Sequence, residues 1–176
     1  MLAGGVRIQG ADLQEIAKIR TWQELLFPLH GKVEREYTAE AAAQTVWNTE
    51  IMELLQSLHE EKGAFLFRIE YKGSLDERKK SEFVKKTASL LEEKSERMLI
   101  NSISDYEIEI RIVESKKGGY LPFLRLYTME DERFAYRKES IAASIAPVNA
   151  ALIMQIAGDH LKENAQVLDP FCGVGT

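Results

Sequence analysis

The chain is 176 residues long, 45% hydrophobic and 29% charged, with 23 Lys plus Arg against 28 Asp plus Glu, for a net charge of −5 at neutral pH. That length holds one globular unit or two small ones and excludes a large multidomain machine, and the composition is that of a chain that folds. The acidic balance argues against a nucleic-acid binder driven by overall charge, leaving only local patches for that role.

Cys172, the one cysteine, excludes an internal disulfide, and His30, His59 and His160 are too scattered to form a metal motif. Met1 to Arg7 has no basic-then-apolar leader pattern, so the expected compartment is the cytosol.

Val6-Arg7-Ile8 reads as a short strand. Leu13, Ile16, Ala17 and Ile19 then fall near helical spacing behind a possible Asp12 cap. Thr38 to Leu58 reads as a helix with Thr38 as its cap and Ala42, Val46, Ile51, Leu54, Leu55 and Leu58 on one stripe, ended by Gly63. Phe65, Phe67, Ile69 and Tyr71 alternate with Leu66, Arg68 and Glu70, which predicts a half-buried strand closed by Gly73.

From Asp76 to Arg97 the set Phe83, Val84, Thr87, Leu90, Leu91 and Met98 repeats at helical spacing, with Glu82 and Lys86 expected as an i,i+4 pair on the other face. Tyr106 to Val113 alternates again, and Lys116-Lys117-Gly118-Gly119 supplies the turn to a second strand, Tyr120 to Tyr127. Pro122 cannot donate a ladder hydrogen bond, which puts that second strand at an edge or starts it near the proline.

After Thr128 the character changes. Met129 to Lys138 is charged and aromatic. Ile141 to Gly158 is uncharged and approaches the roughly 18–20 residues of a membrane span. Ser144, Pro147, Asn149 and Gln155 interrupt it, so the reading is a buried helix over Pro147 to Ala157 and no membrane partner. Ala165 to Asp169 reads as a short apolar strand running into Pro170-Phe171-Cys172-Gly173-Val174-Gly175-Thr176. The expected organisation is an N-terminal α/β segment over 1–62, a second α/β segment over 63–128, and a linker with the start of a further domain over 129–176.

The run VLDPFCGVGT carries the most chemistry. A strand that ends in an acid and turns through two glycines is how an open α/β sheet presents a cofactor at the carboxyl end of its first strand. Gly173 and Gly175 lack a Cβ and let backbone approach a ligand closely. The run has neither the lysine of a phosphate-gripping loop nor the third glycine of a dinucleotide fingerprint, so a ligand without pyrophosphate fits better.

VLDPFCGVGT resembles the S-adenosylmethionine loop of amino-methyltransferases, above all the RNA methylases associated with THUMP domains, whose usual form is DPFCGSGT; Val174 stands where that family often has Ser. RFAYRKESIAASIAPVNAALIMQIA, Arg133 to Ala157, is similar to the segment leading into that loop. FLFRIEYKG at Phe65 to Gly73, the following helix, and NSISDYEIEIRIVE at Asn101 to Glu114 resemble a THUMP domain, with Ser104 in place of the usual proline before Asp105.

The resemblance implies an α/β chain, THUMP-like in its middle, followed by the first helix and strand of a Rossmann-type methyltransferase domain. It implies S-adenosylmethionine as cofactor, held by Asp169, Pro170, Phe171, Gly173, Gly175 and Thr176. It implies tRNA or rRNA as partner and methylation of an exocyclic guanine amine. From their own chemistry, Arg133, Arg137 and Lys138, interleaved with Phe134 and Tyr136, suit RNA phosphate and base stacking, with a solvated linker face beside Glu130, Asp131 and Glu132 as the other reading; Lys79, Lys80, Lys85 and Lys86 read as an exposed helix face first and an RNA contact second.

Such enzymes hold the poorly nucleophilic amine with an (Asn/Asp)-Pro-Pro-aromatic motif, with the base rotated out of its stack. The four prolines, Pro28, Pro122, Pro147 and Pro170, begin no such run. The expectation is therefore the recognition part of a longer enzyme, without a catalytic residue of its own. A sheet interrupted within the cofactor domain would leave an edge and an apolar helix face able to form a dimer. Two rivals share these features: a DNA amino-methyltransferase fragment, and a stand-alone RNA-binding or adaptor module.

Overall fold

The computed structural model describes residues 6–10, 12–29, 36–47, 55, 63–127, 129, 131–138 and 144–170. The chain divides into two compact units, Leu25–Met129 and the pair of segments Met1–Glu24 with Glu130–Thr176.

The Leu25–Met129 unit is a five-stranded mixed sheet with helices on one face. In chain order it comprises β1 (Phe27–Pro28), α2 (Ala39–Val46), β2 (Phe65–Lys72), α3 (Glu77–Lys94), β3 (Leu99–Asn101), β4 (Ile108–Glu114) and β5 (Tyr120–Leu126). The strand order is β1-β5-β4-β2-β3, with β2 parallel to both β3 and β4, and β5 antiparallel to β4 and β1. This is the α/β class read from the sequence.

The alternation in β2 works as predicted. Phe65, Phe67, Ile69 and Tyr71 are buried, and with Ile108, Ile110, Ile112, Tyr120 and Leu124 they meet Ala42, Ala43 and Val46 of α2 and Phe83, Ala88 and Leu91 of α3 in one core. The single helix expected from Thr38 to Leu58 is not continuous: α2 ends at Val46, where Trp47 turns to extended backbone with φ −78° and ψ 113°. Leu55 is fully buried in the same cluster, and the other residues of 48–58 lie outside the described residues. Tyr71, Phe83 and Tyr120 stack in series, with ring centroids 5.1 and 5.3 Å apart. Gly73 follows β2 because a Cβ there would collide with the Tyr71 hydroxyl.

The predicted Thr38 cap forms, and the structure adds a cap at Asp76 that the sequence reading did not name. The Thr38 hydroxyl accepts from the Ala41 amide at 3.1 Å, and the Asp76 carboxylate accepts from the Lys79 amide at 2.9 Å. Asp76→Ala is expected to lower stability by about 1 kcal/mol, read as a lower urea midpoint at unchanged slope.

Helix α3 stops at Lys94, three residues short of the expectation, because Glu96 and Arg97 take φ of 50° and 62°. The Arg97 amide then reaches back to the Glu92 carbonyl at 2.8 Å, a left-handed closure usually made with glycine. The expected Glu82–Lys86 pair does not form. Glu82 pairs with Arg78 at 3.2 Å one turn earlier, and Lys86 bridges to Glu40 on α2.

Pro122 sits within β5, opposite Ile112. Its carbonyl accepts from the Leu29 amide at 3.0 Å, so its missing donor faces the β1 side, where the neighbouring strand is only two residues long. A strand carries one residue's N–H and C=O on the same side, so the ladder to β4 loses nothing. The hairpin turn uses left-handed Gly118 and Gly119, with φ of 97° and 72°.

The other unit contains α1 (Leu13–Lys18), a 3₁₀ turn (Glu132–Phe134) and α4 (Pro147–Gly158). Asp12 caps α1 through the Gln14 amide at 2.8 Å. Three expectations change here. Val6-Arg7-Ile8 forms no strand and is exposed. Ala165–Asp169 also joins no sheet, and Leu168 is 86% exposed; a short apolar run becomes a strand only beside a partner strand. Helix α4 forms with Pro147 at its first turn, yet none of its residues is buried, and Leu152, Ile153, Met154 and Ile156 face outward. No described helix is long and apolar enough to cross a membrane.

Candidate nucleic-acid interface

The charged aromatic segment after Met129 is organised by Arg133. Its side chain is buried, and the guanidinium makes two parallel bonds to Asp131, 2.7 Å to Oδ1 and 2.6 Å to Oδ2. A remaining nitrogen donates to the carbonyls of Trp22 at 2.8 Å and Ile19 at 3.3 Å. The guanidinium lies 3.2 Å from the Trp22 ring centroid, and the indole nitrogen donates to the Ile16 carbonyl at 2.9 Å.

Planar charge, forked donors and an aromatic face are what arginine supplies and lysine does not. The bonds from Arg133 hold the Asp131 carboxyl below its usual range. Arg133 therefore acts as a latch between residues 16–22 and 131–134.

The latch presents its neighbours outward. Tyr136 and Lys138 are exposed, and Arg137 is half-buried. The Arg20 guanidinium stands 5.5 Å from the Tyr136 ring centroid. Between residues 18–21, Tyr136 and α4 lies an open cleft of about 630 Å³.

The second predicted basic group lies on α3 in the other unit. Lys79 is exposed and Lys80 half-buried, beside Asp76 at 3.5 Å and Glu77 at 4.0 Å respectively. Lys85 and Lys86 project from the next turn. Exposed pairs of this kind contribute about 0–1 kcal/mol and yield to a stronger anion.

A further cluster, unmarked in the sequence, lies on the sheet face opposite the helices. Glu109 of β4 is fully buried. Its Oε2 accepts from Arg68 Nε at 2.9 Å and Nη2 at 2.5 Å, and its Oε1 accepts from Arg111 Nε at 2.9 Å and Nη2 at 2.7 Å. Burial pushes its pKa up, but the bonds and charges of the two arginines outweigh that and hold it below the usual carboxylate range.

Arg68 in turn lies 4.2 Å from the Tyr106 ring centroid and donates to the Tyr127 hydroxyl at 3.0 Å, while Arg125 lies 4.5 Å from the Tyr127 ring. In sequence Glu109 looks like a solvent-facing member of an alternating strand. Only the register that sets Arg68 directly across from it reveals the network.

Of the residues expected to hold a cofactor, Asp169 and Pro170 are described and exposed; Phe171, Gly173, Gly175 and Thr176 lie outside the described residues, as does Cys172. Among the described residues no cluster of His, Cys, Asp or Glu could hold a metal ion, and His160 is exposed; His30 and His59 lie outside them.

Neither any protein family nor any curated protein sequence matches the chain. Among solved structures, TrmN from Thermus thermophilus superposes with a TM-score of 0.54 at 17% sequence identity. The alignment covers 86% of this chain and 43% of that one, so the chain spans under half the length of the protein it matches. The likeness is one of fold.

Proposed function

We propose that this chain is the RNA-recognition part of an S-adenosylmethionine-dependent RNA methyltransferase that modifies an exocyclic base amine, a guanine of tRNA or rRNA. The observation that carries the reading is the run Asp169 to Thr176 behind a Pro-initiated apolar helix, in a chain whose fold resembles TrmN over 86% of its length. Residues 63–128 serve as the RNA-docking segment, and 129–176 are the linker and the start of the cofactor domain. Asp169, Pro170, Phe171, Gly173, Gly175 and Thr176 are the residues that would hold S-adenosylmethionine, which supplies the electrophilic methyl group when bound.

On the RNA side the proposal uses Lys79 and Lys80 as phosphate contacts, Tyr136, Arg137 and Lys138 as a mixed stacking and phosphate surface, and Arg133 as the group that sets their segment. Such contacts are electrostatic and sequence-independent. Reversing Lys79 and Lys80 together to Glu is expected to weaken tRNA binding and to lower the slope of log affinity against log salt by about two, measured by gel shift across a salt series.

The enzyme reading is tested by reading the encoding DNA past Thr176 for an in-frame (Asn/Asp)-Pro-Pro-aromatic motif, then assaying transfer of a labelled methyl group to tRNA. The full product should methylate, and the 176-residue chain alone should not. Turnover by the chain alone, or a reading frame without the motif, would overturn it. An RNA-docking module of the cytosol without catalysis then becomes the account.

A further inference from the structure

We infer that the cleft between residues 18–21 and α4 is a subsite for one nucleotide of single-stranded RNA, an inference that rests on the RNA reading above and names a site within it. Three kinds of chemistry meet there. Lys18 and Arg20 put two cations on one wall, Tyr136 offers a half-exposed aromatic face beside Arg20, and α4 contributes Ala150, Met154 and Gln155.

A nucleotide presents the complement of each: an anionic phosphate one sugar's width from a flat, polarisable base whose edge carries donors and acceptors. Base stacking on an aromatic ring with a nearby arginine is how sequence-tolerant RNA sites gain affinity. Ala150 keeps the floor low enough for a ring, Met154 adapts to an irregular apolar surface, and the Gln155 amide can read a base edge.

The charges around the cleft agree with a single phosphate. Lys18 is paired with Glu15 at 2.5 Å, but both side chains are about two-thirds exposed, so the pair is weakly held and Lys18 can turn to a phosphate. The Arg133 latch fixes the cleft from behind, because it holds the Ile19 and Trp22 carbonyls and so sets where Arg20 emerges. The site is thus preorganised by a buried group that never touches the ligand.

The test uses the whole 176-residue chain and two probes. Guanosine 5′-monophosphate is titrated into isotope-labelled protein while backbone amide signals are followed, and a fluorescent single-stranded RNA 12-mer is titrated by anisotropy. The nucleotide should move the amides of residues 18–21 and 150–155, and Arg20→Glu should abolish those shifts. Arg20→Glu and Ala150→Phe should each weaken the 12-mer by about tenfold, while Lys117→Glu on the hairpin tip leaves it unchanged.

If the 12-mer binds equally to all variants, and the nucleotide shifts fall elsewhere, the cleft assignment is wrong and the wider RNA reading survives. If the nucleotide shifts map to the cleft but neither the 12-mer nor tRNA binds, the site stands as a nucleotide site and the RNA reading falls.

Discussion

Glu109→Ala is expected to cost about 3–5 kcal/mol, the range seen when one partner of a buried ion pair is removed. The loss arises because Arg68 and Arg111 both aim their guanidinium groups at this carboxylate, and both would keep their charge beside an apolar methyl. Trp47 packs against the core of the same unit, so its fluorescence in a Trp22→Phe background reports the unfolding.

Glu109→Gln keeps an acceptor and should lose less. The pH dependence follows from the lowered carboxyl pKa. The stabilisation is fully present above the unfolded carboxyl value of about 4.3 and disappears as pH falls through the lower folded value. The gap between wild type and Glu109→Gln should therefore narrow on acidification below about pH 4. A loss below about 1 kcal/mol for Glu109→Ala at neutral pH, the scale of an exposed pair, would show that the network contributes no more than a surface salt bridge.

The second large effect belongs to Arg133. Replacement by alanine removes the charged bonds to two carbonyls and the stacking on Trp22, together worth about 2–3 kcal/mol, and frees Asp131. Arg133→Lys should recover little, since an ammonium cannot fill the fork and the ring face together. With Trp47→Phe as background, Trp22 emission should shift to longer wavelength in Arg133→Ala, and amide exchange should quicken over residues 12–22 while the sheet unit keeps its protection. Acid should release the latch in wild type in the same direction, because the lowered Asp131 pKa means its contribution is lost as pH falls through the folded value.

The elements that the sequence announced are those whose signal is local. The alternation of Phe65 to Tyr71, the caps Asp12 and Thr38, and the Lys116–Gly119 turn each rest on neighbours a few residues away. Strands β1 and β3 gave no such signal: two or three residues show no period, and their pairing is set by distant chain. The end of α3 escaped because glutamate and arginine occupy left-handed positions where glycine is the usual marker.

The candidate site divides the same way. Tyr136 and Lys138 are exposed as their composition suggests. Arg133 reads like another surface cation, yet its partners Trp22 and Ile19 lie more than a hundred residues earlier in the chain. The apolar character of α4 was legible, but burial depends on what packs against a helix, and none of the described residues buries it.

On the function proposed above, this chain recognises RNA. That recognition is tested most directly by gel shift of the 176-residue protein with bulk tRNA and, in parallel, with duplex DNA of equal length, each at low and at physiological salt. The account predicts a tRNA complex that weakens as salt rises, is reduced when Lys79 and Lys80 are reversed to Glu, and outcompetes DNA. No complex with tRNA at low salt, or equal binding to both nucleic acids, would contradict it.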